Sequence, residues 1–152
     1  MNSLYEIPKL NIPVEISLIN GEVLRGKVFI YQDLDEPGGK PTLEKLLSKE
    51  PEKFIPFQST AGNYRLINKN QIIFVRTFED NSDIRNRTPL SPQSLVVYFV
   101  NEQSMFGALY PTQAEESRVS DIMNNGDQFI AIYHDEQKII INCDQIIYIS
   151  SN

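Results

Sequence analysis

The sequence predicts a mainly β protein with short helices, organised as two tandem five-stranded small barrels. The same apolar blocks occur twice in the same order, their residue types are typical of strands, and turn-forming segments separate them. Each barrel is expected to carry a short helix between its second and third strands. The predicted organisation is a first barrel at residues 1–78, a linker at 79–94 and a second barrel at 95–152.

The first matched block is a predicted strand, in which residues 14–20 align with residues 95–101. Both segments end at an asparagine. A glycine follows six residues later in each repeat, at Gly26 and Gly107. Both glycines fall inside the predicted second strand, where a glycine normally weakens a sheet. We therefore expect these structural glycines to permit a sharp strand bend, which small barrels need at a corner.

The turn after this strand is predicted to differ between the repeats. Asn20-Gly21 is a preferred pair for a two-residue type I′ turn. The second repeat has Asn101-Glu102 instead. Its turn must accept a positive φ at some cost, or adopt another shape.

The later blocks predict a helix followed by three strands in each repeat. Apolar residues spaced i, i+3 and i+4 after a hydroxyl residue predict helices at about residues 42–49 and 117–124. The matched triplets are Leu43, Leu46 and Leu47 with Val119, Ile122 and Met123. The matched strand blocks are residues 54–57 with 129–132 and residues 66–75 with 140–149.

Composition limits the classes of function. The chain has 152 residues and a formal net charge of −6, which disfavours general nucleic-acid binding because phosphate affinity depends on Lys and Arg. The first residues do not resemble a signal peptide, and no apolar stretch approaches the roughly 20 residues that a membrane helix needs. We therefore expect a cytoplasmic protein with no membrane partner.

Chemistry-bearing residues are few. A single cysteine, Cys143, excludes an internal disulfide, and a single histidine, His134, removes the usual ligand set of a zinc site. Nothing in the sequence places a nucleophile beside His134. No catalytic, cofactor-binding or metal-binding residues are therefore predicted, and the chain is not expected to be an enzyme.

Two segments resemble the Sm-like superfamily, the bent five-stranded barrels of Sm, LSm and Hfq proteins. Residues 18–28 (LINGEVLRGKV) are similar to its first motif. Residues 66–72 are similar to the second Hfq motif, in which Lys69 fits the lysine and Asn70 stands where that motif has histidine. The resemblance implies an Sm-like fold, and barrels in which the fourth strand of one pairs with the fifth of the next.

The resemblance also implies a candidate nucleic-acid contact. Lys69, with Arg65, Arg76 and Tyr64, forms the best combination of basic and aromatic residues in the chain, and Lys69, Arg65 and Tyr64 are the candidate contacts. Strand lysines more commonly protect sheet edges than contact RNA.

Three functions stay open at this point. The favoured one is a non-enzymatic module that binds a protein partner or forms an oligomer through its strand edges. Four segments are too apolar for bare edges, residues 66–67, 72–75, 139–141 and 146–149. In a tandem chain the fourth strand of one barrel could pair with the fifth strand of the other. One fourth-strand edge and one fifth-strand edge would then remain free at the two ends. Alternatively, the helix or residues 1–12 cap the edge and leave a monomer. The other two functions are an RNA-binding Sm-like protein using the more basic first repeat, and an uncharacterised enzyme.

Overall fold

The computed structural model describes residues 9–31, 42–78, 91–111 and 118–151, and these ranges confirm a mainly β protein. Their strands form one antiparallel sheet, which is open at both ends. The first strand set is β1 Lys9–Leu18, β2 Val23–Tyr31, β3 Phe54–Ser59, β4 Tyr64–Asn68 and β5 Ile72–Thr77. The second strand set is β6 Gln93–Phe99, β7 Ser104–Leu109, β8 Phe129–His134, β9 Gln137–Asn142 and β10 Ile146–Ser151.

Four short helical segments connect these strands within the described ranges. Helix α1, Leu43–Lys49, follows β2, and helix α2, Val119–Met123, follows β7. A 3₁₀ turn precedes the last strand of each set, at Lys69–Gln71 and Cys143–Gln145. Of the predicted linker, residues 79–90 lie outside the described ranges, and β6 already begins at Gln93.

The strand order is β10-β6-β7-β8-β9-β5-β1-β2-β3-β4. Within each set the neighbours run fifth, first, second, third, fourth. The two sets join where β5 pairs with β9, the fifth strand of one set with the fourth strand of the other. Consequently β4 and β10 are the two end strands of the sheet.

The β1–β2 turn differs from the predicted two-residue turn. Leu18 N donates to Glu22 O at 2.9 Å and Gly21 N donates to Leu18 O at 3.0 Å, so the loop has three residues. Only Gly21 takes a positive φ there, +93°, as in a type I turn followed by a left-handed residue. In the second set the matched residue Glu102 has φ +72°, which is the first of the two alternatives that the sequence left open.

Gly26 is needed for close approach of the neighbouring strand β3. A Cβ at Gly26 would lie 2.1 Å from Gln58 O and 2.8 Å from Ser59 Cα on β3. At Gly107 the space is less restricted, because the nearest atom is the side-chain tip of Ile132 at 3.0 Å. The two matched glycines therefore meet different constraints.

The core consists of two apolar clusters, and each takes residues from both strand sets. The first contains α1 and the inward residues of β1–β5, together with Phe129 and Ile140 of the second set. The second contains α2 and residues of β6–β10, together with Ile73 and Phe74 of the first set. Neither strand set therefore completes its apolar cluster alone.

Candidate functional site

The junction between β5 and β9 shows how two strand sets fit together. Val75 pairs with Ile140 in the antiparallel register, and Phe74 pairs with Ile141. All four side chains are buried. Beside them Arg76 Nη1 donates to Gln137 Oε1 at 2.8 Å. The junction is therefore an apolar strand pair with a polar contact at its margin.

Asn142 secures this junction through the backbone of the other strand set. Its side chain is fully buried, and Nδ2 donates to Ile72 O at 2.9 Å and to Lys69 O at 3.2 Å. Its Oδ1 accepts from Asp144 N at 3.0 Å and so caps the second 3₁₀ turn. A buried amide is costly unless its hydrogen bonds are made, and these three bonds satisfy it.

Helix α1 crosses the junction to reach the second strand set. Ser48 Oγ accepts from Phe129 N at 3.0 Å and donates to Phe129 O at 3.2 Å. Lys138 Nζ lies 2.6 Å from Glu44 Oε1, and both side chains are largely buried. Helix α1 thus packs against β8 of the second strand set as well as against β2 of its own set.

The end strand β4 and its neighbour β3 expose positions that the junction buries. Leu66 is 58% exposed, whereas its sequence match Ile140 is 0% exposed. Phe54 at the start of β3 is 46% exposed, whereas its match Phe129 is 1% exposed. Ile140 is buried because β9 has β5 beside it, while β4 ends the sheet. Phe129 is buried because α1 packs on it.

The end strand β10 shows the complementary difference. Ile147 is 60% exposed and matches Ile73, which is 0% exposed. Tyr148 is 55% exposed and matches Phe74, which is 5% exposed. Both end strands therefore present large apolar side chains at positions whose matches form the internal junction.

A groove of about 480 Å³ lies beside β4, between that strand and the β1–β2 turn. Leu18 and Leu66 line it, together with Asn68 and Gln71. Phe99, the match of Leu18, packs against Phe74 with ring centroids 6.0 Å apart. The groove thus corresponds to the place that Phe74 fills in the second strand set.

The predicted nucleic-acid contacts do not form one exposed cluster. Lys69 is buried, and its Nζ donates to Leu47 O at 3.1 Å and to Glu50 O at 2.5 Å. Burial lowers the pKa of Lys69, and nearby Glu50 partly opposes this shift. Arg65 and Tyr64 are exposed on β4. Of the three candidate contacts, Lys69 is thus buried against the end of α1, whereas Arg65 and Tyr64 lie at the surface.

Cys143 and His134 are the remaining chemistry-bearing side chains. Burial, with smaller contributions from Asp144 and Asp127, raises the pKa of the Cys143 thiol to about 12. His134 Nε2 lies 3.3 Å from Asp135 Oδ2 in an exposed turn. Among the described residues, no three His, Cys, Asp or Glu side chains are grouped to hold a metal ion.

Sequence reasoning missed Asn142 and Ser48 as contact residues. The available signal was Asn68 and Asn142 at matched positions before each 3₁₀ turn, which periodicity alone does not distinguish from a loop residue. Ser48 left no sequence signal, because its partner Phe129 is 81 residues away. Only the fold brings these residues together.

In the part of the chain that the structure describes, neither helix is long and apolar enough to cross a membrane. No protein-family model, curated protein or solved structure matches the chain at a significant level.

Proposed function

We propose that the protein is a non-enzymatic assembly module whose copies join head to tail, β10 of one copy pairing with β4 of the next. One observation carries the proposal: Leu66, Phe54, Ile147 and Tyr148 are exposed, and their matched residues are the ones that the internal junction buries. Exposed apolar strand edges promote association with another strand. A second copy supplies a strand of matching register and shape.

The internal register specifies the contacts between copies. Transferring the β5–β9 pairs to matched positions places Tyr148 opposite Ile67, and Ile149 opposite Leu66, of the next copy. Tyr148 would then enter the groove beside Leu18, as Phe74 packs on Phe99. Asn68 would donate to the carbonyls of Cys143 and Ile146 in the neighbouring copy, as Asn142 does to Lys69 and Ile72.

Within this assembly each strand set would act as one Sm-like barrel. Residues 1–78 would form the first of the two tandem barrels and residues 95–152 the second. The Sm-like resemblance of residues 18–28 and 66–72 supports this, as does the fifth-to-fourth strand pairing at β5–β9. Such a head-to-tail contact joins two different surfaces. It therefore produces a ring where the rotation closes and a filament where it does not.

Light scattering and a register-specific disulfide test the proposal. In a Cys143→Ser background, Leu66→Cys with Ile149→Cys should form disulfide-linked multimers, because directly paired cross-strand residues lie within disulfide range. The control pair, Leu66→Cys with Ser151→Cys, is two residues out of register and should remain unlinked. The unmodified chain should give a stable multiple of 17.4 kDa. A mass of 17.4 kDa at every concentration, without cross-linking, would contradict the proposal.

A further inference from the structure

Helix α1 supplies a second contact at the internal junction, apart from strand pairing. Its apolar residues Leu43 and Leu47 belong to the same buried cluster as Phe129 of β8. Ser48, at the end of the helix, binds both the N–H and the carbonyl of Phe129. The helix of one strand set therefore binds the third strand of the other set at Phe129, the first residue of that strand.

Helix α2 has matching residues, but their burial is incomplete. Val119 and Met123, the matches of Leu43 and Leu47, are only half-buried, whereas both leucines are 2% exposed. Asn124 follows the helix at the position that matches Ser48, and it is exposed. Thus the side of α2 that corresponds to the Phe129 contact is partly open.

Phe54 carries the matching features on β3. Lys69 N donates to Lys53 O at 2.9 Å, and Phe54 pairs with Asn68, so this pair is at a non-hydrogen-bonded position. The backbone N–H and carbonyl of Phe54 consequently point away from β4. The same pattern holds at Phe129, where Cys143 N donates to Gln128 O at 2.8 Å and Ser48 binds the outward groups.

We infer that α2 of one copy docks on Phe54 of the next copy, with the ring packing against Val119 and Met123. Asn124 binds the outward N–H and carbonyl of Phe54, since an amide both accepts and donates hydrogen bonds, as the Ser48 hydroxyl does. One amide N–H of Asn124 already donates to Ser120 O at 2.8 Å, and its second N–H and its oxygen serve Phe54. This inference rests on the proposed head-to-tail assembly and adds a helix contact that strand pairing alone does not require.

Sedimentation equilibrium of the full chain tests the helix contact. Phe54→Ala should raise the dissociation constant at least about tenfold, which is typical of losing a buried aromatic anchor. Phe106→Ala is the matched control, because Phe106 is 45% exposed on β7, away from both end strands. The control should change the dissociation constant less than about twofold. Thermal melting of dilute samples checks that both variants fold.

A double-mutant cycle separates the helix contact from strand pairing. Phe54→Ala and Met123→Ala should each raise the dissociation constant by a certain factor. If Phe54 packs on Met123 of the neighbouring copy, the double variant should raise it by less than the product of these two factors. Multiplying factors, or equal dissociation constants for Phe54→Ala and Phe106→Ala, would overturn the helix contact. In both cases an intact Leu66→Cys to Ile149→Cys cross-link would leave strand pairing standing. A chain that stays monomeric and unlinked would overturn both proposals.

Discussion

Gly26 lies so close to β3 that one added carbon atom would overlap the backbone. A Cβ there would be 2.1 Å from Gln58 O, whereas at Gly107 it would meet the movable end of Ile132 at 3.0 Å. Backbone atoms of a paired strand yield less easily than a side-chain tip. Glycine is therefore required more strictly at residue 26 than at residue 107.

Gly26→Ala should destabilise the protein by about 2–4 kcal/mol, because β3 has to move away to admit the methyl group. Gly107→Ala should cost less than about 1.5 kcal/mol, since the Ile132 side chain can adjust. Urea unfolding of both variants measures the difference. Equal losses would show that close approach of β3 is not the reason for glycine at residue 26.

Glu102 holds a left-handed conformation, with φ +72°, in a turn where the first strand set uses Gly21. Glu102→Gly should therefore stabilise the protein by about 0.5–1 kcal/mol. Gly21→Ala is the reverse test, because no atom lies within 4 Å of its Cβ position and only the backbone conformation is penalised. It should destabilise by a similar amount. Thermal denaturation of both variants checks the opposite signs.

At the scale of elements, a side chain from elsewhere in the chain completes the end of α1. The last carbonyls of a helix lack partners within it, and Lys69 donates to those of Leu47 and Glu50. A cation at this end also favours the helix dipole. The lysine that the Sm-like resemblance implied for RNA contact is thereby used inside the fold.

Lys69→Met should destabilise the protein by about 1–3 kcal/mol, because two hydrogen bonds from a charged donor are lost. Lys45→Met, on the exposed side of the same helix, is the matched control and should change stability by less than about 0.5 kcal/mol. Urea unfolding at neutral pH compares the two. A Lys69→Met variant as stable as its control would mean that these bonds contribute nothing to α1.

At the scale of the whole molecule, the two strand sets share their cores and should unfold together. Ile140→Ala removes a fully buried side chain from the first cluster and should destabilise the chain by about 2–4 kcal/mol. Hydrogen exchange should lose protection by the same factor in β1–β5 and in β6–β10. Leu66→Ala, the matched exposed position, should cost less than about 1 kcal/mol in dilute monomer. Loss confined to one strand set would show independent units.

The apolar patterns of the sequence were sufficient to predict the mainly β fold, but individual contacts were not predictable. Asn20-Gly21 predicted a two-residue turn, yet Leu18 bonds to Glu22 and the loop has three residues. Local sequence does not decide between these turns, because the register of the flanking strands selects the loop length. The burial of Lys69 was not predictable for a similar reason, since its partners Leu47 and Glu50 are about 20 residues earlier in the chain.

The sequence by itself determined which segments are strands, because alternating and continuous apolar runs are local properties of the chain. Only the tertiary structure decided which strand pairs with which across the two sets, and therefore which apolar positions are covered. Ile140 and Leu66 match in sequence, but one is buried and the other exposed because β5 lies beside β9 while β4 ends the sheet. Burial depends on the neighbour in space, and the sequence of one segment does not contain that information.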